Sequence, residues 1–190
     1  MDIFQITKSK LRQHLLSLYF TNPEKRFYLR ELERILNFSV ANIRRELVKL
    51  EKADLFLTEN KGNLVYYYLN QAFPLFSELK GIISKTIGVP ATVKSMLEKI
   101  KGIKQAFIYG SFAKDEQKPA SDIDILIIGE VNENKLVELC RKLEKDLQRE
   151  INYTLYSESD FARKKKAKDP FILELLKQPK IFLIGSEDEL

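Results

Sequence analysis

Between Phe107 and Gly129 the chain runs through a short apolar stretch, Gly110-Ser111, ten intervening residues, and then Asp122-Ile123-Asp124 at the head of a second apolar stretch. These types at this spacing suit phosphate and metal chemistry. Glycine lets a ligand approach the backbone closely, and exposed amides with a Ser111 hydroxyl at a helix start make a phosphate cradle. Period-2 geometry puts Asp122 and Asp124 on one face of a strand, about 6–7 Å apart, with Ile123 and Ile125 turned toward a core. Two such carboxylates repel unless a cation lies between them, and a divalent ion held there would also gather nucleotide phosphates. An isolated Asp-x-Asp is more simply a strand cap followed by a solvated acid. The preceding strand and Gly-Ser turn favour the metal reading.

The rest of the composition narrows the cation. One cysteine, Cys140, and one histidine, His14, exclude a disulfide within the chain, a multi-thiolate zinc site and a histidine-based triad. Both fall within helical patterns and read as structural or surface residues. Carboxylate chemistry favours hard cations, Mg²⁺ or Mn²⁺. With 190 residues, 44% hydrophobic and 31% charged, the chain has enough apolar mass for one or two folded domains. No apolar run approaches the roughly 20 residues of a membrane helix. The first ten residues lack a signal-peptide core, so a cytoplasmic location without membrane attachment is expected. The balance of 32 basic to 27 acidic residues, net +5, is compatible with a nucleic-acid or polyphosphate partner and does not require one.

Periodicity supplies the elements that must position these residues. Helices are expected over Lys8–Phe20, Leu29–Leu36, Val40 to about Lys52 (capped by Ser39) and Leu75–Thr86. Phe27-Tyr28 reads as a short extended piece. Phe56–Thr58 and Leu64–Leu69 read as strands around a turn made by Glu59 to Asn63. Gly88-Val89-Pro90 is the best boundary, giving domains 1–88 and 89–190. Beyond it helix and strand alternate: helices over Ala91–Lys101, Ser111–Lys114, Glu133–Arg149, Phe161–Lys166 and Phe171–Lys177, and strands over Gln105–Tyr109, Ile123–Ile128, Ile151–Tyr156 and Ile181–Ile184. The expected class is α/β, more specifically α+β, with a mixed sheet flanked by helices. The basic run Arg163 to Lys166 with Lys168 reads first as a solvated helix face, and Glu187 to Glu189 as a frayed tail.

In the first half, helices joined by a tight turn and followed by a β-hairpin make the order of a winged helix-turn-helix. The apolar stripe of the third helix leaves Asn42, Arg45 and Lys49 on one exposed line at i, i+3 and i+7, with Ala41 and Arg44 beside it. Arginine and asparagine read base edges, lysine neutralises phosphate, and a small Ala41 lets a helix sit deep in the major groove. Lys61 in the hairpin could reach an adjacent phosphate. The same basic residues could equally form an ordinary solvated face, balanced by Glu46 and Glu51. The run Tyr66 to Tyr68 could stack bases, but alternation sends Tyr67 to the side opposite its neighbours, and core filling and wing packing are the expected roles.

Residues 1–87, and Phe27 to Leu69 above all, resemble the winged-helix domain of ArsR-like transcriptional regulators. Leu47, Leu50, Ala53 and Leu55 match its lead from recognition helix into wing, with Asp54 in place of the usual glycine. The resemblance implies binding of double-stranded DNA as a homodimer. Residues 90–185 resemble the nucleotidyltransferase superfamily that includes DNA polymerase beta, most closely its minimal members, through Tyr109-Gly110-Ser111 and Asp122-Ile123-Asp124-Ile125. That resemblance implies Mg²⁺ on Asp122 and Asp124, and a nucleoside triphosphate such as ATP with its phosphates at Gly110-Ser111. It also gives Ser121 its place before the aspartates and Lys114 a phosphate contact. The family's third carboxylate, which serves a second metal and the acceptor's proton, aligns with neutral Asn152, and Glu150, two residues earlier, is the candidate substitute.

Two functions follow from these resemblances. One is a DNA-binding regulator whose second domain binds Mg²⁺ and nucleotide, weakly active or sensing. The alternative is an active enzyme moving NMP from an NTP to a protein, RNA or small-molecule hydroxyl. Minimal members pair with helical toxin-type partner proteins in toxin–antitoxin systems, so such a partner is a further expectation.

Overall fold

The computed structural model describes residues 9–114 and 121–190. The chain divides into two compact units between Val89 and Pro90. The expected helix start at Lys8 and most of the segment between the Gly-Ser turn and the aspartates fall outside the described residues.

In the first unit, α1 (Lys10–Thr21) starts where Ser9 accepts the Arg12 amide, and Leu11, Leu15 and Leu18 form its buried stripe. A short strand β1 (Phe27–Tyr28) leads into α2 (Leu29–Leu36), which stops at Asn37 in the left-handed conformation (φ 57°). Ser39 caps α3 (Val40–Lys52) through the Asn42 amide. The helix ends before Asp54, also left-handed at φ 57°, which explains why a glycine is the easier residue there.

β2 (Phe56–Lys61) and β3 (Leu64–Leu69) pair antiparallel, and the sheet order is β1-β3-β2. The expected five-residue turn is corrected to two residues, Gly62-Asn63. Glu59 and Asn60 continue the ladder opposite Tyr66 and Val65, and Gly62 (φ 57°) supplies the first position of a tight hairpin turn. α4 (Phe76–Thr86) closes the unit. Tyr19 sits at the centre, edge-on to Phe27 and Phe56 at 5.2 and 4.7 Å between centroids, its hydroxyl donating to the Tyr67 carbonyl. Tyr67 is buried while Tyr66 and Tyr68 are half-buried, as alternation requires.

In the second unit, α5 runs Val89–Leu97 rather than Ala91–Lys101; it begins around Pro90, which is tolerated in a first helical turn, and it ends before Lys99-Ile100 turn back. β4 (Ile103–Tyr109) precedes the four-residue α6 (Gly110–Ala113), and β5 (Ile123–Gly129) follows. α7 (Glu133–Leu147) is capped by Asn132 and buries Leu136, Cys140, Leu143 and Leu147. It ends at Leu147, two residues before the expected Arg149, with Gln148 left-handed at its cap.

β6 (Ile151–Tyr156) returns parallel to β5, the direction that a helical crossover such as α7 permits. α8 (Glu158–Lys166), α9 (Pro170–Lys177) and β7 (Ile181–Ile184) complete the unit. The sheet order is β6-β5-β4-β7, with β4 antiparallel to both neighbours, so the sheet is mixed as expected. Phe161, Ile172 and Leu175 of α8 and α9 cover the face that carries Phe107, Leu126 and Ile128. Fully burying one such side chain contributes roughly 1.5–3 kcal/mol.

The acidic end is not frayed: Glu187–Glu189 forms a 3₁₀ turn with a Ser186/Glu189 capping box, and Lys180 pairs with Glu187 at 3.2 Å. Among the described residues no helix is long and apolar enough to cross a membrane.

Candidate active site

Antiparallel pairing sets Tyr109 of β4 opposite Asp124 of β5, and parallel pairing sets Asn152 of β6 on Asp124's other side. Asp124 is thus the middle of a three-strand row at the end of the sheet. Gly110 follows Tyr109 with φ 72°, and a Cβ built there would stand 2.7 Å from Asp124 Oδ2. The glycine is therefore required twice, by its backbone conformation and by the carboxylate against it.

Asp122 lies just before β5 rather than within it. The Asn152 amide donates to Asp122 Oδ2 at 3.0 Å and also faces Asp124. Burial raises the Asp124 pKa, the Asn152 hydrogen bond pulls it back, and the charge of Asp122 raises it again. The Asp122 charge thus acts on Asp124 across this corner.

Arg149 holds this corner and was not foreseen as a site residue. Its side chain is buried, and Nη1 donates to the Ser121 carbonyl at 2.9 Å. Burial lowers its pKa and the Asp122 charge raises it. The bond fixes Ser121, hence the backbone on which Asp122 stands. Position alone offered no signal, because Arg149 reads as the end of a charged helix. Tyr109 was likewise foreseen only as part of a motif. Burial raises its pKa, Thr154 shares a hydrogen bond with it, and the charge of Asp124 raises it further.

The remaining candidates are spread out. Ser111 is half-buried in α6, while Lys114 is exposed at its C-terminal end. Glu150 is exposed just before β6, and it is the Glu150 carbonyl that accepts the Ile123 amide at 2.9 Å. Asn152, not Glu150, stands in the row beside Asp124. Among the described residues no three His, Cys, Asp or Glu side chains converge as a metal centre. The donors present are two coupled carboxylates and an amide, all hard, and they fit one Mg²⁺ or Mn²⁺ ion.

In the first unit Ala41, Asn42, Arg44, Arg45 and Lys49 are all exposed along α3, and Lys61 is exposed at the hairpin tip. Lys49 lies 3.6 Å from Glu46, and Lys61 lies 3.7 Å from Glu59 and 6.0 Å from the Tyr66 ring centre. Glu46 does balance this face through Lys49, but from a buried position on the inner side of α3, where it also pairs with Arg12 of α1. Glu51 accepts from Thr58 at 2.9 Å. The basic run of α8 is largely engaged: Arg163 with Asp160, Lys164 with Asp169, and Lys165 with the Leu190 carbonyl.

A family model described as polymerase beta, nucleotidyltransferase, matches residues 91–188. Two Methanocaldococcus jannaschii proteins, each provisionally named a protein adenylyltransferase, are similar. One is 37% identical over 73 residues, which is 38% of this chain and 73% of that protein. The other is 45% identical over 60 residues, 30% of this chain and 62% of that protein. Among solved structures, a toxin–antitoxin complex with AMP-PNP matches at 17% identity and TM-score 0.40, covering 53% of this chain and 76% of that one. A tri-AMPylated Shewanella oneidensis HEPN toxin in complex with MNT antitoxin matches at 15% identity and TM-score 0.36, covering 53% and 72%.

Proposed function

The chain belongs to the polymerase beta nucleotidyltransferase family, and on that premise we propose that its second unit, residues 90–190, transfers an adenylyl group from ATP to a protein hydroxyl. The observation that carries this reading is the row Tyr109–Asp124–Asn152, with Asp122 tied to Asn152 and Asp124 set against Gly110. The names of the two archaeal relatives support adenylyl transfer and a protein acceptor over other choices.

Asp122 and Asp124 would hold a divalent ion, which would neutralise charge on the phosphates. Gly110 leaves the backbone open beside them, and Ser111 offers its hydroxyl and amide to phosphate oxygens. Lys114 and Ser121 flank that position. The acceptor oxygen bonds to the α-phosphorus, the bond to pyrophosphate breaks, and pyrophosphate leaves with its electron pair. Asn152 cannot take the acceptor's proton, so the proton goes to solvent or to exposed Glu150. Glu150→Gln separates these routes, because it lowers transfer only in the second.

The test is labelled ATP with Mg²⁺ and cell protein, a helical toxin-type partner among the candidates offered. Label should pass to protein with release of pyrophosphate. Asp122→Asn with Asp124→Asn should lose at least about a hundredfold, since even supporting partners of metal ligands are worth ~10–100-fold. Transfer unchanged in that variant overturns the reading.

A second reading concerns residues 1–88, and the exposed line on α3 favours it. We infer that this unit is a winged helix-turn-helix that binds double-stranded DNA as a homodimer, with Asn42, Arg44 and Arg45 reaching base edges and Lys49 and Lys61 reaching phosphates. It would place the enzyme at its own control region. Arg45→Ala with Lys49→Ala should abolish retardation of that DNA, and Lys49→Ala alone should lower the salt slope by about one. Wild-type protein that shows no salt-dependent DNA binding removes this second reading.

A further inference from the structure

Phe171 stands in the first turn of α9, next to Ile172, and its neighbours explain the helix without it. Ile172 and Leu175 fill the core against Phe107 and Leu126. Asp169 accepts the amides of Phe171 and Ile172 at 3.0 and 3.3 Å and so fixes where the helix begins. Lys164 of α8 reaches Asp169 at 3.2 Å and lies over the Tyr156 ring at 5.4 Å, which ties that helix start to β6. Phe171 is nevertheless 40% exposed. Its ring lies 6.1 Å from the Tyr109 ring at 75°, edge to face. Tyr109 in turn is the strand partner of Asp124 and is held by Thr154. A half-open aromatic pair therefore links Phe171 to the row that carries Asp124.

We propose that Phe171, backed by Tyr109, is the surface on which the base of the nucleoside triphosphate stacks. This rests on the reading of Asp122 and Asp124 as the phosphate end of the same ligand. A base needs a flat apolar surface beyond the phosphate end of the site, and the contacts from Asp124 through Tyr109 to Phe171 lead to one. Stacking is tolerant of base identity because every base has a π-face. The platform therefore selects for a nucleoside over a bare polyphosphate, and not for one base.

The test compares two probes on the full chain with Mg²⁺: a non-hydrolysable ATP analogue and inorganic tripolyphosphate, both by calorimetry. Phe171→Ala should weaken the analogue about tenfold, ~1.4 kcal/mol, within the range of base–aromatic stacking. Tripolyphosphate should bind as before. Phe171→Trp should restore the analogue. Phe171→Leu, which keeps apolar bulk and the fold, should behave as Phe171→Ala. Equal analogue affinity in Phe171→Leu and wild type, or equal losses for both probes, overturns the stacking role. Wild type that binds tripolyphosphate as tightly as the analogue also overturns it, while the phosphate site stands. Wild type that binds neither probe overturns the phosphate site and the platform together.

Discussion

Before Pro90 the basic side chains stand outside. Arg44, Arg45 and Lys49 lie along a helix whose other side is closed by Tyr19, Leu47 and Phe56. After it, two acids are held half-buried at a sheet end, and one of them, Asp124, lies against a glycine that has no side chain to keep it off. The first arrangement costs the fold little, because solvent screens exposed charge. The second works against it, since burial and the neighbouring Asp122 charge both disfavour the Asp124 carboxylate. Asn152 and Arg149 nevertheless hold this corner in place, which is what the proposed cation site requires. The exposed line on α3 meets no such resistance, so its meaning rests on a partner.

The largest effect that would sharpen this contrast is at Gly110. Gly110→Ala should lose about 1–2 kcal/mol for a left-handed residue and also push the Asp124 carboxylate aside. Loss of Mn²⁺ binding alongside a lowered melting temperature is the expected result. The matched control is Gly81→Ala in α4, where a Cβ meets nothing within 4 Å. That change should gain up to about 1 kcal/mol from helix propensity. Equal behaviour of the two glycines would break the contrast.

Glu46 is the exception in the first unit, a buried acid serving structure. Glu46→Ala should cost about 2 kcal/mol in urea unfolding, less than the ~3–5 of a fully buried pair because Arg12 is partly exposed. If Glu46→Ala is neutral, the charge there is as superficial as that on the outer face.

The smallest effect is at Cys140 on α7, where burial and then Glu144 push the thiol up to about 11. The folded state keeps this proton longer than the unfolded chain does. Its contribution to stability is therefore present below the unfolded thiol's pKa and is lost as pH rises toward 11. Native protein should leave Cys140 unreactive to a thiol reagent at pH 8, with reaction on unfolding. Fast native reaction would place the thiol at the surface.

Much of this was legible from residue order. The α3 stripe, Ser39's cap and the period-2 alternation of Tyr66 to Tyr68 depend on neighbours close in sequence, and each stands where periodicity put it. The Gly-Ser turn and the paired aspartates were legible because their chemistry demands a local pattern. What escaped depends on contacts distant in sequence. Glu46 reads as a surface acid until Arg12, 34 residues earlier, is seen beside it. Arg149 acquires a role only through Ser121, 28 residues away. The hairpin turn was drawn too long because polar Glu59 and Asn60 look like turn residues, whereas cross-strand pairing keeps them in β2. The acidic end was drawn as loose because Lys180 gives no hint in sequence that it reaches Glu187.

The most direct test is Mn²⁺ titration followed by electron paramagnetic resonance, with and without a non-hydrolysable ATP analogue. Wild type should bind Mn²⁺ saturably and more tightly with nucleotide present, and Asp122→Asn with Asp124→Asn should lose both. Mn²⁺ binding that is indifferent to nucleotide, or that survives intact in the double variant, would contradict the account.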